Sequence, residues 1–144
     1  MSFRFETILR LNKKKEDLLQ KDMGQINVHH QRQQDRQQFM QDATETSKDE
    51  LSQKKRSGVS VETMILYDNF ARGTRTQIEK QGKIISEINA KLVAKREEVV
   101  EAMRKRRTME ILKERDMLKE RKVRERKETA ILDEVASNLW MRNN

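Results

Sequence analysis

Apolar residues recur along this chain at alternating steps of three and four, most regularly in its second half. Stepping from Met64 visits Met64, Tyr67, Ala71, Thr74, Ile78, Gln81, Ile85, Ile88, Leu92, Lys95, Val99, Ala102, Arg106 and Met109, and ten of these fourteen are apolar. At the chain's 34% hydrophobic content chance gives about five, so the 3.5-residue register predicts a long helix with a coiled-coil stripe. After Met109 the register slips. A second frame, Ile111, Leu118, Leu132, Val135 and Leu139, runs to the end with charges between, the kind of slip that locally changes supercoil winding.

The first half carries a weaker stripe. Its best frame is Phe5, Leu9, Asn12, Glu16, Leu19, Met23, Ile26, His30, Gln33, Gln37, Met40, Thr44, Ser47 and Leu51, of which seven are apolar. Such a stripe needs a better one to lean on. Between the two halves, Lys54-Lys55-Arg56-Ser57-Gly58-Val59-Ser60 reads as a turn. Gly58 can take the positive φ that ends a helix, with three cations in the last turn against the negative dipole end. Ser60 is a suitable N-cap, with Glu62 in the first turn that follows. The predicted elements are helices over about 4–53 and 61–142, roughly 75 Å and 120 Å long at 1.5 Å per residue. A short turn makes them antiparallel. The fold class expected is all-α, one antiparallel coiled-coil hairpin over 1–144. Folding about residue 57 opposes positions whose numbers sum to about 114. Leu51 then faces Met64, Met40 faces Thr74, Ile26 faces Ile88 and Phe5 faces Met109, with Ile78, Ile85, Ile88 and Leu92 as the expected core. Residues past about Leu112 should overhang.

Composition agrees with a thin seam and not with a globule. Charged residues make up 39% of the chain, and there are one Trp, one Tyr and four Phe, whereas a compact core draws on about 45–50% apolar residues. Against disorder stand the helical spacing and the absence of proline. With no cysteine there are no disulfides, thiolate metal sites or cysteine nucleophiles. No apolar run approaches the roughly 20 residues that cross a bilayer, and the first residues lack a secretory h-region, so the location expected is inside the cell. Net charge is +8. Residues 104–127 hold twelve Lys/Arg against five Asp/Glu, a net +7, a field that attracts nucleic acid, anionic lipid or an acidic protein.

Few residues suggest chemistry. His29 and His30 are adjacent and so point about 100° apart on a helix, which suits a seam histidine beside a solvated one better than a metal pair. Gly24, Gly73 and Gly82 are isolated within helical pattern and form no phosphate loop. The carboxylates alternate with Lys and Arg at helical spacing, and a two-helix rod has no pocket that excludes water. No catalytic, cofactor-binding or metal-binding residue is expected. Phe39 and Phe70 fall just outside the seam, and exposed aromatics there are candidates for a docking patch.

Several motifs, taken in order, resemble the FliJ family of flagellar type III export proteins. They are the opening Phe3-x-Phe5-x-x-Ile8-Leu9-x-Leu11, the run Ser57-Gly58-Val59-Ser60 leading to Tyr67-Asp68-Asn69-Phe70, and the closing Leu112-Lys113-Glu114-Arg115 and Glu125-x-Lys127 through Leu132-Asp133-Glu134-Val135-Ala136. The resemblance spans the whole chain. It implies a non-enzymatic antiparallel coiled coil similar to the central stalk of rotary ATPases. The partners it implies are the hexameric (FliI-like) export ATPase, with the helical termini toward the ring centre, the cytoplasmic domain of the FlhA-like export gate, and export chaperones. The location it implies is cytoplasmic, at the inner face of the membrane at the flagellar base, held there through partners. It also implies a gate-binding face, which alignment on Tyr67-x-x-Phe70 carries onto Arg36, Met40, Phe70, Thr74, Gln77 and Gln81, and with Phe39 and Tyr67 beside them these are the candidate gate-binding residues. For ring contact the overhang offers Arg115, Arg121, Arg124 and Arg126 as the charged set and Leu132, Val135 and Leu139 as the apolar one.

Three other readings fit parts of the chain: a nucleic-acid-binding protein using the basic segment, a generic scaffold or surface-bound helix, and an injectisome stalk of the same architecture. The basic segment has five interleaved acids and no aromatic to stack on bases. The charge surrounds the helix and is not confined to one face, which disfavours membrane binding.

Overall fold

The computed structural model describes residues 5–144. Two helices account for nearly all of them, α1 (Glu6–Ser57) and α2 (Val61–Asn143), packed antiparallel. The helix start anticipated at residue 4, and Phe3 of the opening motif, lie outside the described residues. The connector is shorter than anticipated. Lys54, Lys55 and Arg56 fill the last turn of α1, as the dipole argument anticipated, so the helix runs past the expected end at 53 to Ser57, and only Gly58 breaks the backbone pattern. Gly58 has φ 93°, the left-handed conformation of a helix-ending glycine. Ser60 then caps α2: its Oγ accepts from the Thr63 amide at 3.2 Å, and its carbonyl accepts from the Met64 amide at 3.1 Å.

The chain forms two compact units, and each has its own stretch of seam. The turn unit comprises residues 19–98. Ile88 and Leu92 are its buried apolar residues, each 6% exposed, while Ile78 and Ile85 are half-buried. Gln81 is buried among them and donates to the Gln33 carbonyl at 3.1 Å and to the Gln33 side-chain oxygen. Gln37 reaches the carbonyl of Ile78 at 3.4 Å. Burying an amide without partners is costly, and here each seam glutamine bonds across to the other helix.

The terminal unit comprises residues 1–18 and 99–144. Leu9, Val99 and Ala102 are its buried apolar residues, with Leu9 only 2% exposed. Beside them Glu16 is buried and bonds the Arg106 guanidinium, which also donates to Glu110 at 2.9 Å. Glu110 and then Glu16 hold the Arg106 guanidinium above its ordinary pKa, and Arg106 holds the Glu110 carboxyl below the usual carboxylate value. Lys113 meets Glu6 at 3.0 Å. The seam thus carries a charged network where its apolar residues run out.

Thirteen of the fourteen seam positions read from α2, and all fourteen read from α1, are buried or half-buried. Met64 is the exception at 39% exposed, since the first turn of α2 has only the end of α1 beside it. The facing pairs differ in detail from a simple fold about residue 57. Gln33 and Gln81 meet with numbers summing to 114, but Glu16–Arg106 and Glu6–Lys113 sum to 122 and 119. Helical side chains lean toward their own N-terminus, so in an antiparallel pair long side chains meet residues further along both helices.

If this seam holds the helices together, Ile88→Asp should lower the midpoint of thermal melting, followed by circular dichroism, by an amount equivalent to roughly 3 kcal/mol or more. Val93→Asp, at a position 44% exposed, should melt close to wild type. Equal melting of the two variants would mean that the seam runs elsewhere.

Candidate functional site

The turn unit carries a concave surface lined by aromatic side chains. Phe39 on α1 and Phe70 on α2 are 73% and 47% exposed. Each lies one position before a seam residue, Met40 or Ala71, so the packing that closes the seam leaves both rings on one flank. They line a groove of about 530 Å³ with Asp42, Ala43, Glu50, Leu66 and Tyr67. An adjoining hollow of about 310 Å³ is lined by Phe39, Met40, Phe70, Thr74 and Gln77 among others. Six of the eight residues anticipated for gate binding, Phe39, Met40, Tyr67, Phe70, Thr74 and Gln77, therefore share one continuous surface.

The remaining two are placed differently. Arg36 is exposed one turn before Phe39 but lines neither hollow. Gln81 is 4% exposed with its amide committed to Gln33, so it belongs to the seam and not to the exposed groove. It occupies a stripe position, lines neither hollow, and with a cross-helix bond available its side chain points inward.

Tyr67 anchors the groove wall. Its hydroxyl donates to Glu50 at 3.3 Å, and the Lys54 ammonium lies 5.1 Å from the ring centroid, a cation–π distance. Hydrogen bonding between Lys54 and Tyr67, ahead of the nearby Glu50 carboxylate, holds the Lys54 ammonium above its ordinary pKa. Leu66, 69% exposed, was missed in the sequence reading. The signal for it was there: Leu66 and Phe70 are four apart and share a helix face, facing the matching flank of Phe39, Ala43 and Glu50.

The second anticipated surface lies on α2 in the terminal unit. Half-burial continues the original three–four spacing through Lys113, Asp116 and Glu120, and every residue from Arg121 to Asn144 is exposed. The freely exposed stretch thus begins later than the anticipated Leu112. Ile111 and Leu118, of the slipped frame, face outward at 36% and 51% exposure. Leu132, Val135 and Leu139 are likewise exposed, at 68%, 49% and 53%, and at steps of three and four they lie on one helix face. Arg115, Arg124 and Arg126 are exposed, whereas Arg121 bonds Glu125 at 3.2 Å one turn on. His30 sits in the seam and His29 faces out. No helix is long and apolar enough to cross a membrane among the described residues.

A grooved two-helix surface and an uncovered helix can bind and position other proteins. Among the described residues no cluster of three or more His, Cys, Asp or Glu is placed to hold a metal. The family model described as Flagellar FliJ protein matches residues 1–144, the whole chain. No curated protein and no solved structure matches.

Proposed function

The chain belongs to the FliJ family and is a component of the flagellar protein export apparatus, and from this premise we propose that it joins the export ATPase to the export gate. In this reading the aromatic groove binds the cytoplasmic domain of the FlhA-like gate protein, and the exposed end of α2 binds within the hexameric FliI-like ATPase ring. The family is a non-catalytic one, so the contribution to export is mechanical and allosteric. Bound in the ring, one asymmetric helix pair distinguishes otherwise equivalent subunits, and its other contact relays the ring's state to the gate. Assistance to export chaperones belongs to the same proposal, as does a position at the cytoplasmic face of the membrane held through these partners.

One observation carries the gate assignment. Phe39 and Phe70, 31 residues apart on different helices, converge on the same groove with Leu66 and Tyr67. Aromatic residues in a pocket are the commonest kind of binding hot spot, and none of these side chains is among the buried residues of the seam. Support for the ring assignment comes from the α2 end, where an apolar stripe of Leu132, Val135 and Leu139 is uncovered beside cationic residues. Acidic residues of a ring lumen would complement Arg115, Arg124 and Arg126, with Arg121 released from Glu125 to join them.

Phe70→Ala should leave the helical signal near wild type and weaken binding to the gate's cytoplasmic domain by about 1–4 kcal/mol, measured by calorimetry. Unchanged affinity would remove the groove from the gate interface.

Truncation after Lys127 should abolish stimulation of the ATPase while leaving a folded helix pair that still binds the gate domain. Reversal of the four arginines to Glu should weaken ring binding most at low salt, because exposed charges act over a Debye length of about 8–10 Å. If the truncated chain stimulates the ATPase as well as the intact one, the end of α2 is not the ring-binding element.

A further inference from the structure

The turn presents a second exposed apolar surface, which adjoins the aromatic groove at Leu66. Val61 is 71% exposed and Ile65 53%, and four residues apart they share one flank of the first turns of α2. Leu66, 69% exposed, points about 100° further round the helix from Ile65. Apolar side chains therefore project on two flanks of the same short stretch, which has no helix beyond it. A bilayer interface takes in exposed aliphatic side chains where basic residues beside them meet anionic headgroups.

The facing end of α1 supplies matching charge. Lys54, Lys55 and Arg56 fill its last turn and are all exposed, and among the described residues none of them forms an ion pair. Within residues 52–66 the acid is Glu62, a local net charge of +2, and Glu50 just before this stretch acts on Lys54, which leaves Lys55 and Arg56 as the less opposed cations. The three-residue connector and the left-handed Gly58 keep this cationic turn next to Val61. Cations beside exposed aliphatics match an anionic headgroup layer over hydrocarbon.

We propose that the turn of this helix pair binds an anionic lipid bilayer directly. Lys54, Lys55 and Arg56 engage lipid phosphates, and Val61, Ile65 and Leu66 enter the boundary between headgroups and acyl chains. The site borders the groove proposed for the gate, sharing Leu66 with it and resting Lys54 on the Tyr67 ring, while Val61, Ile65, Lys55 and Arg56 lie outside that lining. Each basic residue near such a surface is worth about fivefold in partitioning.

The test is flotation of the full chain with phosphatidylcholine vesicles prepared with and without phosphatidylglycerol. The chain should float only with the anionic vesicles. The variant K54Q/K55Q/R56Q should lose about a hundredfold in partitioning with an unchanged helical signal, and V61S/I65S should also weaken it. Neutralising Arg115, Lys119, Lys122 and Arg126 in the basic segment should leave the turn's share of binding in place. A second readout is Val61→Trp in a Trp140→Phe background, whose emission should shift to the blue on anionic vesicles. Absence of flotation, wild-type flotation of the K54Q/K55Q/R56Q variant, or unshifted emission from the introduced Trp would each overturn the proposal. If the turn variants keep floating and instead lose the gate domain, the surface is a protein contact.

Discussion

Everything in this structure depends on how little the chain has to bury. With 34% hydrophobic residues and 39% charged, each helix owns one narrow stripe, and neither stripe can leave water except against the other. That constraint selects two long paired helices over a layered domain, because a layered domain needs apolar residues on more than one face of each element. It also explains why polar residues occupy the seam. Where apolar side chains are lacking, Gln81 bonds to Gln33 and Glu16 bonds to Arg106, so buried polar atoms have partners. Among the described residues none is left without one.

Such pairs do more than fill gaps. An apolar stripe tolerates sliding by a heptad, since one aliphatic layer resembles the next. A glutamine that must find a carbonyl, or a carboxylate that must find a guanidinium, tolerates it poorly, because a slipped register strands a buried polar group. The turn unit holds one such lock and the terminal unit another. Register in turn determines which flanking residues meet. Phe39 and Phe70 share a groove only because the seam places Met40 and Ala71 one position behind them.

Much of this was legible in the sequence, because periodicity reports burial directly. The α1 stripe was found although half its positions are polar, and His30, Asn12 and Thr44 were still read as inward-facing. Gly58 and Ser60 marked the turn through backbone chemistry that few other residues provide. What was not legible depended on three-dimensional reach. The end of α1 was legible only to within a turn: Gly58 marked the stop and Lys54, Lys55 and Arg56 the last turn, and the helix runs through to Ser57. The pairing of Glu16 with Arg106 depended on the lean and length of side chains, which a fold about one residue ignores. Gln81 was given two roles by sequence, seam and surface, and the available Gln33 carbonyl decides for the seam. Leu66 was passed over because attention to stripe positions hides an off-stripe pair. The slipped frame after Met109 was real as a pattern, but it marks an uncovered surface of α2 and not a continuation of the seam.

The surfaces that remain once the seam has closed are the ones available for binding, so the account stands on the antiparallel pairing within one chain. The direct measurement is the distance between spin labels at Arg32 and Lys80, exposed positions on the same flank of the turn unit, in monomeric protein diluted with unlabelled chain. Packed helices with axes 8–10 Å apart predict a single narrow distribution near about 20 Å once the label arms are included. A broad distribution, or one centred several tens of ångströms out, would contradict the pairing and with it the groove built on it.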